Sequence, residues 1–450
     1  MTDRLFGTNG VRGVINKDMD VQLAMDLGKA IGTFMGGRVA IGNDSRTSAA
    51  MIKSAVAAGL MCAGVEVLDL GLVPTPVVQH YVKANRLSGG VMITASHNPP
   101  EFNGIKCVDS DGTEMPRHKE EEIERLYFTR TFRSQDWKAV GRMHQATGAV
   151  PAYLSSVTRF TDLDAVRGAG LTAVLDCANG AGVASAPQLL DELNVRAITL
   201  NGNPLGTFPG HPSEPVEAHL KDLIAMVKET GADMGIAHDG DADRTIFIDD
   251  RGRYMYGDKS LAITAAAMVR ENGGGIVVTP VSSSACVEDM VRAEGGEVLY
   301  TRVGAPVVAR KMIEVGAVFG GEENGGLIFP KHQYCRDGAM TVAKMLEIVS
   351  KQGPLSELVD AIPQYCQDKR KLECPDDRKE RVLAALVEYY CKDSVDTTDG
   401  VKICYSGGWT LVRPSGTEPL FRVYSEARTL DEAKRRSDEC EKVLSDLIEE

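Results

Sequence analysis

Three stretches of the sequence share one plan: "GGVMITASHNPPEFNGIKCVD" from residue 89, "ADMGIAHDGDADRTIFIDD" from residue 232 and "GAVFGGEENGGLIFP" from residue 316. Each is an apolar run, a polar loop and a second apolar run, and each follows a helical pattern. An apolar run of four to six residues bounded by such a loop reads as a buried strand. The repeat therefore predicts three related units, each presenting one loop from the same place in its sheet. Loops held by rigid strands are where reactive groups usually sit.

The rest of the chain supports strands alternating with helices. A helix over 21–35 precedes a strand over 38–41, and a helix over 48–64 precedes a strand over 65–70. The rhythm returns at strand 171–176 with the turn 179–182, and at strand 275–279, helix 285–293 and strand 297–300. This predicts an α/β protein with largely parallel sheets. The end differs: a helix over 379–390, two or three strands between 401 and 427, then an amphipathic helix over 430–448. That is an α+β pattern, with the charged segment 367–380 read as the linker before it.

A chain of 450 residues is too long for one core, and three or four domains are expected. With 50 basic and 63 acidic residues, the net charge of −13 argues against nucleic acid or an anionic membrane as partner. An anionic substrate would need a local basic pocket. The ten cysteines are scattered without a CxxC pair and read as buried reduced thiols. No apolar run approaches the roughly 18 residues of a membrane span, and a cytoplasmic location is expected.

The loops carry the chemistry. Asp239, Asp241 and Asp243 alternate in "DGDADR", and three crowded carboxylates need a hard cation, Mg²⁺ or Ca²⁺. A calcium EF-hand is rejected, because the sixth position is Arg244 and the twelfth is Asp250. "RPSGTEP" offers a phosphate a guanidinium fork from Arg413, hydroxyls from Ser415 and Thr417, and backbone approach at Gly416. Arg422 adds a second fork. "GGEENGG" supplies acceptors suited to the hydroxyls or amine of a sugar. Ser96 and His97 leave the first strand in "TASHNPPEFNGIK"; neither a GxSxG elbow nor a P-loop occurs in the chain. A serine that carries a phosphoryl group fits the company of the other loops.

At these residues the sequence resembles the α-D-phosphohexomutase superfamily over its whole length. "TASHNP" matches the phosphoserine loop, "DGDADR" the metal loop, "GEENGG" the sugar loop and "RPSGTEP" the phosphate loop, with "FGTNGVRG" at 6–13 as the N-terminal signature. The form of the sugar loop is most like the archaeal phosphoglucosamine mutase and phosphomannomutase branch. The resemblance implies four domains around a central cleft: α/β domains over 1–150, 151–252 and 253–363, and an α+β domain over 364–450. It implies interconversion of hexose 6-phosphate and hexose 1-phosphate through a hexose 1,6-bisphosphate, with glucosamine phosphate as the expected substrate and mannose or glucose phosphate as alternatives. Ser96 would carry the phosphoryl group, and Asp239, Asp241 and Asp243 would hold one Mg²⁺ with an oxygen of the phosphoserine. Arg12, His97, Lys106 and Arg244 would line the transferring group, with Lys106 as acid/base. Glu322 and Asn324 would meet the sugar. Arg413, Ser415, Gly416, Thr417 and Arg422 would hold the other phosphate, and Arg302 the substrate. No nucleic-acid or membrane partner is implied, and the chain is expected as a monomer or homodimer.

One departure stands out. Many bacterial relatives end the sugar loop in a histidine proposed as a base; here the position is Gly326, and His332 lies six residues on. Two other classes compete with the mutase: a non-catalytic phosphosugar-binding protein, and a Mg²⁺-dependent phosphatase using Ser96.

Overall fold

The computed structural model describes residues 4–7, 9–415 and 418–449, and contains four β-sheets, one per unit. In the first, the strands Arg38–Asn43, Glu66–Leu72 and Gly89–Ile93 run parallel, and Phe102–Val108 returns antiparallel beside Gly89–Ile93. The second repeats this with Thr172–Asp176, Arg196–Leu200, Met234–His238 and the returning Thr245–Asp249. The third repeats it again with Gly275–Pro280, Gly296–Thr301, Phe319–Gly321 and the returning Leu327–Phe329. Strand order within the four is the same each time, with added edge strands on the outside. In each sheet the loop singled out in the sequence joins the third parallel strand to the returning one. Those third strands are buried throughout, which is why they read as unbroken apolar runs.

The helices form where an apolar stripe and a cap coincide. Asp20 caps Val21–Met35 by accepting from the Leu23 amide, and Asp337 caps Gly338–Gln352 through Met340. Gly338–Gln352 and Gly257–Asn272 are buried almost all round, because they lie between units instead of on a surface. One apolar cluster accordingly runs through all three α/β units, from Ala40 through Tyr153, Ile236 and Phe319 to Ile362.

The fourth sheet is wholly antiparallel, in the order Cys366–Glu373, Leu420–Ala427, Gly408–Pro414, Val401–Tyr405 and Ser394–Asp396. With the helices Lys379–Tyr389 and Leu430–Glu449 it makes the α+β unit expected, around its own core. Its first strand corrects the sequence reading. Residues 366–373 are an edge strand paired over eight positions, not a linker. Charged residues such as Lys369 and Lys371 suit an exposed edge, where they oppose pairing with another chain. The cysteines also depart in part: six are buried, Cys62 and Cys366 are half-buried, and Cys391 and Cys404 are exposed; all ten are free thiols. Among the described residues no helix is long and apolar enough to cross a membrane.

Candidate active site

The first two loops meet. Ser96 is fully buried and donates from Oγ to Asp239 Oδ2 at 2.7 Å. Its φ of +51° is left-handed, a conformation a non-glycine residue adopts only when its surroundings hold it. Gly240 lets the loops approach, since a Cβ there would lie 2.4 Å from the Ser96 carbonyl oxygen. Lys106, on the returning strand opposite Met92, reaches Asp241 at 2.6 Å and Asp243 at 3.2 Å. Burial opposes its charge, but the two carboxylates outweigh it and raise its pKa.

The carboxylates of Asp239, Asp241 and Asp243 lie within 4.8 Å of one another and are buried. Burial and then its two neighbours push Asp239 upward. Asp241 goes the other way: burial is outweighed by Lys106 and by Thr75, which donates to Asp241 Oδ2 at 2.5 Å. Oδ1 of Asp241 and Oδ1 of Asp243 have no hydrogen-bond partner among the described residues. Buried acceptors are ordinarily satisfied, so this donor set fits a divalent cation with oxygen ligands.

Cations surround this centre. Arg12 donates to Asn98 Oδ1 at 2.8 Å, and burial lowers its pKa. Arg244 lies 3.8 Å from Asp243. His97 sits 3.4 Å from the Ser96 hydroxyl; burial, then the charges of Arg244 and Arg12, lower it to about 2, so it is a neutral imidazole.

The sugar loop joins through a residue that sequence reasoning missed. Arg336 is buried and pairs with Asp243 at 2.6 Å, Glu322 at 3.3 Å and Glu114 at 3.5 Å. It explains Gly326: a Cβ there would lie 2.2 Å from Arg336 Cδ, so any side chain would displace the guanidinium. His332 is elsewhere, packed among His80, Tyr153 and Phe160 and 3.0 Å from Asp337. Glu322 also accepts from the Gly304 amide at 3.0 Å, and burial raises its pKa. Asn324 accepts from the Gly326 amide and, with Arg244, Glu323 and Arg422, borders a cleft of about 730 Å³.

The fourth loop is looser. Arg413 and Arg422 are direct partners on neighbouring antiparallel strands. Like charges so placed repel, and an anion between them would relieve that. Arg413 meets Asp399 at 2.6 Å, and Arg422 lies 3.5 Å from Glu418. Ser415 accepts from the Glu418 amide through Oγ, and its carbonyl accepts from Lys379. Gly416 and Thr417 lie outside the described residues. Arg302 is not brought to the cleft: it is exposed and donates to the Thr398 carbonyl at 3.1 Å, on the seam with the fourth unit.

Models of the four phosphoglucomutase/phosphomannomutase domains match in order: α/β/α domain I at 3–134, domain II at 151–252, domain III at 256–365 and the C-terminal domain at 367–443. The chain belongs to the phosphoglucomutase/phosphomannomutase family. It is a phosphohexomutase. It is 41% identical, over 99% of each chain, to a phosphoglucomutase/phosphomannomutase of Thermococcus kodakarensis and to a probable phosphoglucosamine mutase of Methanopyrus kandleri. A phosphoglucosamine/phosphogalactosamine mutase of Sulfurisphaera tokodaii is 40% identical over 98% of this chain and 99% of its own. Among solved structures, a phosphoglucomutase/phosphomannomutase family protein of Burkholderia thailandensis superposes with a TM-score of 0.89 at 28% identity, covering 98% of this chain and 97% of that one.

Proposed function

We propose that this phosphohexomutase interconverts glucosamine 6-phosphate and glucosamine 1-phosphate, with Ser96 as phosphoryl carrier and a hexose 1,6-bisphosphate as intermediate and activator. The product would feed the synthesis of UDP-N-acetylglucosamine. The observation that carries this reading is the Ser96 hydroxyl bonded to Asp239 inside a buried three-carboxylate centre with two unpartnered oxygens. Asp239, Asp241 and Asp243 would hold one Mg²⁺ with a phosphoserine oxygen, and the ion would supply neutralisation of phosphoryl charge.

The chain's own residues do the rest. Ser96 gives its phosphoryl group to a sugar hydroxyl and, after the bisphosphate turns over, takes the other phosphoryl group from the opposite end. Arg12, Arg244 and Lys106 balance the charge on the transferring group, and neutral His97 donates a hydrogen bond to it. Lys106, charged at the outset, gives its proton to the oxygen that loses the phosphoryl group and regains one from the attacking sugar hydroxyl. Glu322 and Asn324 accept from sugar hydroxyls. Arg413, Ser415, Gly416, Thr417 and Arg422 hold the phosphate that is not reacting, and Arg302 joins them on exchanging Thr398 for substrate. The domains are assigned as 1–150, 151–252, 253–363 and 364–450, and the protein as a cytoplasmic monomer or homodimer.

Amino-sugar preference rests on Glu323. It borders the cleft and accepts from Ser282 at 2.8 Å, so its carboxylate is oriented and available to a sugar ammonium. A second reading, mannose or glucose phosphate as substrate, is favoured by the Thermococcus kodakarensis relative's name. A coupled assay on the three hexose 6-phosphates, with Mg²⁺ and a trace of bisphosphate, decides between them. Highest kcat/KM on glucosamine phosphate is expected; a preference for mannose phosphate moves the assignment to the second reading. Free phosphate released at the rate of substrate loss would instead mark a phosphatase.

A further inference from the structure

We propose that Arg46 is the positioning residue for the nucleophile: its guanidinium holds the turn that aims Ser96 at Asp239. The inference rests on Ser96 as phosphoryl carrier and assigns a role outside the four loops. Arg46 follows the strand Arg38–Asn43 and is buried. All five of its N–H groups are used on protein. Nη2 donates to the carbonyls of Ser96 at 2.9 Å and Asn98 at 2.6 Å, and Nη1 to those of Pro99 at 2.6 Å and Phe102 at 2.8 Å. Nε donates to Asp44 Oδ2 at 3.1 Å.

The other end of Ser96 closes on the same pair. The Ser96 amide donates to Thr94 Oγ1 at 2.8 Å, and Thr94 Oγ1 donates to Asp44 Oδ2 at 2.6 Å. The amide and the carbonyl of Ser96 thus both end on Asp44 and Arg46, which holds the left-handed φ in place. A proline makes an outside donor necessary. The residue three on from the Ser96 carbonyl is Pro99, which has no N–H with which to close a turn, and a buried carbonyl needs a donor. The second domain backs this support: the Phe208 ring lies 5.1 Å from the Arg46 guanidinium. Every donor of Arg46 is occupied within the protein, so none is left for substrate. Removing the side chain takes a donor from four loop carbonyls, leaving Pro99 with the Phe102 amide at 3.1 Å and Ser96 and Asn98 with only the Ser213 hydroxyl at 3.4 Å, and Ser96 loses its aim while the cleft keeps its own groups.

The test uses the full chain with Mg²⁺. Glucose 1,6-bisphosphate is mixed with wild type, Arg46→Met and Arg46→Lys. Phosphate on Ser96 is followed by intact mass, and the Kd for hexose 6-phosphate is read by calorimetry. Arg46→Met is expected to slow transfer to Ser96 by about a hundredfold or more, the scale of a displaced reacting group. Its Kd is expected to stay within about threefold of wild type. Arg46→Lys, with three donors for five acceptors, is expected to fall between the two. Transfer within about threefold of wild type in folded Arg46→Met, or transfer and binding lost in step, overturns the proposal. If Arg46→Met does not fold, Arg46→Lys decides it, and a wild-type transfer rate there overturns it. A wild type that takes no phosphate at Ser96 refutes the carrier reading instead, and is seen before any variant is compared.

Discussion

The loops of the three α/β units and the loop of the C-terminal unit are held in opposite ways. The first three hang from sheets that share one continuous apolar core, and their charged groups are buried and paired across units, as with Lys106 and Asp241 or Arg336 and Asp243. The fourth belongs to a unit with a core of its own, joined to the rest by a small apolar seam of Val281, Trp409 and Leu411 and by single hydrogen bonds such as Lys402 to Val281, Ala285 to Glu426 and Arg302 to Thr398. Its arginines are half-buried and rest on single carboxylates, Asp399 and Glu418. A phosphoryl group in transfer is stabilised by charges fixed beforehand in a dry site. A phosphate that is only held must be gripped and released as the sugar turns over, which a lightly docked unit allows. The two architectures suit the two ends of the bisphosphate in the proposed reaction.

The comparison breaks most visibly at Ser96. Ser96→Ala is expected to lower kcat at least about a thousandfold in the coupled assay, with the melting temperature preserved. Near-normal turnover would mean that the buried centre is not where phosphate is carried. Next comes Arg336→Met. Removing one cation from three buried carboxylates leaves charge uncompensated, and a loss of about 3–5 kcal/mol in urea unfolding is expected. Arg413→Ala, on the looser side, should leave unfolding nearly unchanged while kcat/KM falls about tenfold to a hundredfold, mainly through KM. Equal stability losses in these two variants would erase the contrast.

Smaller effects sharpen it. Glu323→Gln should narrow the advantage of glucosamine phosphate by about tenfold and leave glucose phosphate nearly unaffected, as expected for a carboxylate facing an ammonium. Equal losses on both sugars would show that Glu323 does not read the amine. The smallest is a pH effect in the segment that abuts the Ser96 loop. His211 lies 3.1 Å from Asp176; burial opposes its charge, but Asp176 outweighs that and raises its pKa. Its contribution to stability is therefore complete below the ordinary histidine pKa of about 6.5 and is lost as pH rises through the higher folded value. The fall in melting temperature above neutral pH should be shallower in His211→Asn than in wild type.

The three strand–loop–strand units and their loop chemistry were legible because both signals are local. An unbroken apolar run, a proline pair and alternating aspartates each act within a few residues. Residues 366–373 were misread for the same reason, since an exposed edge strand carries the charges of a linker. Arg302, given to substrate by the resemblance, donates here to Thr398, almost a hundred residues away, and takes up the proposed role only by exchanging that contact.

The sequence by itself determined which residues are chemically suited to a phosphosugar and that three of their loops hang from equivalent strands. Only the tertiary structure decided how those loops are locked together. Thr75 on Asp241, Arg336 across two loops and Arg46 under the Ser96 turn are ordinary residues in unremarkable stretches. They matter because folding takes them out of water beside particular carboxylates and carbonyls, 166 positions away in the case of Thr75 and Asp241. Burial makes such pairings strong and selective, and burial is a property of the packed units together, not of any segment alone.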